Sequence, residues 1–299
     1  MTVARSVVRS STPTLEVADQ ATTQSRFSVV VPAYNEEHFL GACLDSLAAQ
    51  DFPGDVEIIV VDNNSTDATA AVATRPGVTV ISEPKQGVCA ARQAGTAAAT
   101  GEIVVSTDAD TTFRSDWLST IDRSFREQPD LTAVAGPPHW VDAPRWGRVY
   151  ERAFFGLIQG FYRLTGRVAY VSAANIAFRR NAWRGYDVRL TQGGDELDLL
   201  RQLHEHGTVV YNHRNAVLTS ARRMDRGFLY NVFVTCFYYY LLGYATNRLL
   251  GRTAIGMAPS FRTEPRRSPR RGDSWTWRRR TAIALVVTGL AWIGWTLLL

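Results

Sequence analysis

The chain is poor in the residues that staple or metallate small domains. Its 299 residues include three cysteines and five histidines. Cys43, Cys89 and Cys236 each stand alone inside an apolar stretch, without the paired spacing of a zinc site or a disulfide framework. That usage fits buried thiols in a reduced compartment. A glycine-rich basic loop is also missing after the first strand-like run, where Ala33-Tyr-Asn-Glu-Glu37 stands instead. This argues against a nucleotidyltransferase, the nearest rival for a sheet of this kind. Residues 1–25 are polar and rich in Ser and Thr, lack the apolar core of a signal peptide, and read as a disordered leader.

Charge is scarce outside one segment. The net charge is +5, but residues 262–280 hold eight arginines against Glu264 and Asp273, which leaves the rest of the chain near neutrality. A local basic tail argues against a nucleic-acid-binding globule. It leads into residues 281–299, nineteen residues without a charge. As a helix these would extend roughly 28 Å, about the thickness of a bilayer's hydrocarbon core. The expectation is a single-pass C-terminal anchor, with Arg278, Arg279 and Arg280 holding the preceding domain in the cytoplasm at the inner membrane.

With 45% hydrophobic and 20% charged residues, the remainder can bury a large core. Apolar, β-branched runs at 27–32, 56–62, 78–81, 103–106 and 131–135 alternate with helical patterns at 37–50, 65–73, 88–99 and 117–126. Ser65, Thr66 and Asp67 offer an N-cap for the second helix. Alternation of this kind predicts an α/β fold: a doubly wound, mostly parallel sheet with helices on both faces. Open sheets of this class bind ligands beyond the carboxyl ends of their strands. Four of those ends are polar here, and the fourth carries Asp108-Ala-Asp110. Two carboxylates one residue apart at a fraying strand end can hold a hard divalent cation; the alternative is that both are solvated loop residues, one of them capping a helix.

Taken in order, Val29-Val-Val-Pro-Ala-Tyr-Asn-Glu-Glu37, Val60-Val-Asp-Asn-Asn-Ser-Thr-Asp67, Gly87-Val-Cys-Ala-Ala-Arg92 and Asp108-Ala-Asp110 resemble family 2 glycosyltransferases, inverting enzymes of the GT-A fold. The resemblance covers residues 27 to about 135. It implies a nucleotide-diphospho-sugar donor and a divalent cation, Mn2+ or Mg2+. Pro32, Ala33, Tyr34 and Glu36 would line the base and ribose, Asp62 would contact the base, and Lys85 and Arg92 would neutralise the diphosphate. Asp110 would ligate the metal, with Asp108 on the ribose or a metal-bound water. The same resemblance divides residues 26–225 into a donor half, about 26–136, and an acceptor half, about 137–225.

In the acceptor half, residues 171–179 resemble the segment that lines the sugar site, with Asn175 as its polar contact. Gly193-Gly-Asp-Glu-Leu-Asp-Leu199 resembles the segment that carries the general base. The family's usual Glu-Asp is inverted here; position puts the base on Glu196 and leaves Asp195 as its rival. Both acids also suit the positive end of a helix. His213 is a candidate third metal ligand or diphosphate contact, and residues 220–223 read as either a phosphate contact or an exposed basic turn. Residues 145–164 and 226–250 are rich in aromatics. They read as membrane-associated helices at the bilayer interface, or alternatively as lid or core helices of the second half, with 251–280 as an Arg-rich linker to the anchor. Anchoring favours a lipid-linked or glycan acceptor among membrane lipids. A catalytically inactive, membrane-anchored scaffold of the same fold is the alternative from a different class.

Overall fold

The computed structural model describes residues 25–189 and 195–256. Residues 1–24, 190–194 and 257–299, which include the leader, the arginine-rich tail and the 281–299 run, lie outside them. Among the described residues no helix is long and apolar enough to cross a membrane.

The chain begins β1 (Phe27–Ala33), α1 (Leu40–Ala48), β2 (Val56–Asp62), α2 (Thr69–Ala73), β3 (Val78–Ser82), α3 (Val88–Ala98) and β4 (Ile103–Ser106). It continues β5 (Thr111–Thr112), α4 (Trp117–Glu127), β6 (Leu131–Ala135), β7 (Pro138–Val141), α5 (Arg145–Thr165) and β8 (Ile176–Arg179). Last come α6 (Asp195–His206), β9 (Thr208–Tyr211), β10 (Val217–Ser220), a π-helix (Tyr230–Leu242) and α7 (Gly243–Leu250).

Seven strands form one sheet in the order β3-β2-β1-β4-β8-β6-β9. All its pairings are parallel except the two made by β8, which runs antiparallel between β4 and β6. The period-2 alternation of β1 sends Val29 and Val31 into one core with α1 and α4, and Val30 into the other with α3, α5 and α6. Both faces are therefore covered, which is why these strands read as continuous apolar runs. Helix α3 lies so close to the sheet that a Cβ on Gly95 would fall 2.4 Å from a Val30 methyl. Pro32 is tolerated in this central strand because β4 pairs with β1 only as far as Val30.

Three expectations change at this level. The second helix starts at Thr69, not at Ser65, because Asp67 turns its carboxylate back onto the Thr69 N–H at 2.9 Å. Helix α5 packs one face on the sheet, with Ile158 buried and Phe154, Phe155 and Tyr162 partly buried beside it, while Leu157 and Leu164 face solvent. The 226–250 segment is a π-helix followed by α7, not one amphipathic α-helix. Residues four to five apart align in a π-helix, and Leu229, Phe233, Phe237 and Leu242 are all exposed at that spacing.

A second, three-stranded sheet, β5-β10-β7, sits beside the end of β4. It positions the site.

Candidate active site

Four loops meet at the carboxyl ends of β1, β2, β3 and β4, and hydrogen bonds fasten them together. After β1, Asn35 adopts a left-handed φ of 52°. Its N–H donates to Ser65 Oγ, and its side-chain oxygen accepts from the Thr66 N–H at 2.8 Å. Asn63, 3% exposed, donates to the carbonyls of Glu83 and Lys85 and accepts from the Gly87 N–H. It thereby shapes the loop between β3 and α3. Gly87 has φ 141°, a conformation side chains rarely adopt, and α3 starts directly after it.

The β4 end carries the carboxylates. Asp108 accepts from Arg92 at 2.7 Å, and Arg92 is 4% exposed on the inner face of α3. Asp110 accepts from Thr219 of β10 at 3.2 Å, and its carbonyl accepts from the Ser220 N–H. The small sheet thus clamps the acidic turn from the far side. Arg222, just past β10, lies 2.8 Å from Asp110 and forks onto both oxygens of Glu36 at 2.7 and 2.5 Å.

These charges perturb one another. Burial raises the Asp110 carboxyl's pKa and the Asp108 charge adds to that, while Arg222, Arg223 and Thr219 act in the opposite sense. The Cys43 thiol beneath the turn is pushed up by burial and then by Asp110, Asp108 and Glu36. Burial disfavours the charge on Arg222; its hydrogen bonds to Glu36 and the charges of Asp110 and Glu36 outweigh this and raise its pKa.

Several site residues take places other than those expected. Glu36 is buried and held by Arg222, so its carboxylate does not line a base pocket. Ala33 is in the core, although its carbonyl accepts from the Asn63 N–H at the rim. Arg92 is committed to Asp108 rather than open to a diphosphate. Asn175, 1% exposed, accepts from the Trp117 indole and donates to the Asn215 carbonyl; it ties the acceptor half to the sheet and offers nothing to a sugar. His213 is exposed on the turn after β9. Among the described residues no three His, Cys, Asp or Glu side chains converge as a metal site, so His213 does not complete a triad with Asp108 and Asp110.

Pro32, Tyr34 and Asp62 are half-buried at the rim, Asp62 accepting from the Ser65 N–H, and Lys85 is exposed there. Glu196 is half-buried in the first turn of α6. The Asp195 side chain lies outside the described residues. Asn63 had no role in the sequence reading, and Arg222 entered it only within a phosphate contact or exposed basic turn, not as the partner of Glu36 and Asp110. Arg222 sits in the 220–223 segment, but its partner Glu36 is 186 residues away.

A mostly parallel sheet whose loops gather a carboxylate pair at the fourth strand end defines a GT-A-type protein. The family model described as glycosyl transferase family 2 matches residues 28–186, more than half of the chain, and the chain belongs to that family. An uncharacterized glycosyltransferase of Mycobacterium tuberculosis is 38% identical over 126 residues, 41% of this chain and 56% of that protein. A glucosyl-dolichyl phosphate glucuronosyltransferase of Haloferax volcanii is 26% identical over 186 residues, 57% of this chain and 59% of that protein. The match therefore spans less than two thirds of either relative. Among solved structures, a mannosyltransferase from Pyrobaculum calidifontis, in complex with GDP-Man and Mn2+, has a TM-score of 0.56 at 19% identity, covering 90% of this chain and 74% of that one. Glucosyl-3-phosphoglycerate synthase from Mycobacterium tuberculosis, with Mn2+, UDP and phosphoglyceric acid, has a TM-score of 0.54 at 22% identity, covering 77% and 79%. At such identities these likenesses show the fold.

Proposed function

We propose that the chain transfers a sugar, with inversion, from a nucleotide-diphospho-sugar to a lipid-linked or glycan acceptor at the cytoplasmic face of a membrane. The observation that carries this is the acidic turn: Asp108 and Asp110 end β4 on the rim shared by the loops of β1, β2 and β3.

The donor set fits a hard divalent cation, Mn2+ or Mg2+. Such ions take one or two carboxylates and complete their shell with water and substrate phosphates, so a third side chain is not required. Asp110 would hold the ion and Asp108, steadied by Arg92, would accept from the ribose or a bound water. When bound, the ion supplies positive charge against the departing diphosphate. Tyr34 and Asp62 at the rim suit a nucleobase, since a carboxylate accepts a hydrogen bond from a ring N–H. Lys85, exposed on its loop, is the flexible cation for the phosphates.

On the acceptor side, Glu196, with Asp195 as its rival, would take the proton from a hydroxyl as that oxygen attacks the anomeric carbon opposite the diphosphate. The membrane setting is supported by the exposed stripe of the π-helix and by the basic and uncharged segments of the tail. The dolichyl-phosphate relative supports a lipid-linked acceptor. A panel of UDP- and GDP-sugars, screened with Mn2+ for donor hydrolysis and for transfer to lipid extracts, tests the reading. Hydrolysis of none would contradict it, and transfer to soluble sugars alone would remove the lipid acceptor.

A further inference from the structure

Arg222 stands where a cation is wanted. Its guanidinium forks onto Glu36 and reaches Asp110 at 2.8 Å, and its carbon lies over the Phe39 ring at 4.8 Å. The side chains of Glu36, Arg222 and Asp110 are 5%, 10% and 11% exposed, so water screens their charges weakly. The chain has thus placed its own positive charge on the carboxylate read above as the cation ligand.

Resting on that reading, we infer that Arg222 is a resident counter-ion of Asp110 that a divalent cation must displace, and that it lowers the cation affinity of the donor-free protein. Asp110 has little to share: one oxygen accepts from Thr219 and the other faces Arg222. A divalent ion and a guanidinium cannot both sit at bonding distance from that second oxygen without strong repulsion. Glu36 makes the exchange feasible. When Asp110 is given up, Arg222 keeps its fork on Glu36 and no buried charge is stranded. The diphosphate of an arriving donor then adds negative charge beside both cations. Cation and donor should therefore bind with positive coupling, and the protein should resist loading with metal alone.

Manganese titrations of the full chain, followed by electron paramagnetic resonance, test this without reference to turnover. Arg222→Gln should bind Mn2+ about tenfold more tightly than the unsubstituted chain when no nucleotide is present, and the gap should narrow with UDP or GDP. Arg222→Lys, which keeps the charge but not the fork, should fall between them. A merely structural arginine would behave oppositely, because disturbing the site would weaken it. Equal or weaker Mn2+ binding by both variants, with the unsubstituted chain still binding Mn2+ in the presence of nucleotide, overturns the inference alone. No Mn2+ binding by the unsubstituted chain, even with UDP and GDP, overturns the reading of Asp110 and the inference with it.

Discussion

Glu196 is the residue whose substitution separates two chemistries. An acceptor hydroxyl must lose its proton as it attacks, and a positioned base contributes about 10²–10⁴-fold to such a step. An acceptor phosphate is already anionic and needs no base. With a hydroxyl acceptor, Glu196→Gln should cut kcat by about 10²–10⁴-fold while donor binding stays intact; with a phosphate acceptor it should change kcat little. Steady-state kinetics with each acceptor class, alongside a donor-binding titration, checks this. At this scale the sequence was readable where local pattern decides position, as for Asp108 and Asp110 directly after the apolar run of β4. It was misread where a side chain's role depends on a distant partner. Glu36 reads as a pocket acid until Arg222, 186 positions later, is found on it. Asn175 reads as a sugar contact until Trp117 and the Asn215 carbonyl are seen to use its amide.

Among the elements, α3 illustrates how closely the rim depends on packing. It carries Arg92 to Asp108, and its approach to β1 and β2 is set by Gly95, where an added Cβ would meet Val30 at 2.4 Å and Val61 at 2.8 Å. Both contacts are with buried strand residues that have no room to move. Gly95→Ala should therefore cost about 1–3 kcal/mol by overpacking, read from urea unfolding midpoints. An unchanged midpoint would mean that the helix can shift freely. Most elements of the donor half were legible because apolar strand runs alternate with helical patterns and, for the first three strands, sequence neighbours pair in the sheet. The antiparallel β8 and the three-stranded sheet were not, because their strands are two to four residues long and pair across long separations. The π-helix escaped for another reason: its stripe repeats every four to five residues, a period that an α-helical reading spreads over several faces.

For the molecule as a whole, the proposed membrane setting rests on two features of different strength. The exposed stripe of Leu229, Phe233, Phe237 and Leu242 suits the headgroup layer, and arginines near an anionic surface contribute about 1 kcal/mol each, an attraction that salt screens. A spanning helix at 281–299 would hold regardless of salt. The full chain should float with vesicles containing anionic lipid and remain with them through a high-salt wash. Release by salt would leave a surface contact in place of an anchor.

The central claim is that Asp110 makes nucleotide-sugar binding depend on a divalent cation. Calorimetric titration of the full chain with UDP- and GDP-sugars, with and without Mn2+, and its repetition on Asp110→Ala, tests this most directly. At least one donor should bind saturably to the unsubstituted chain only when Mn2+ is present, and that binding should be abolished in Asp110→Ala. Equal binding by the variant, or equal binding after chelation of the metal, would contradict it.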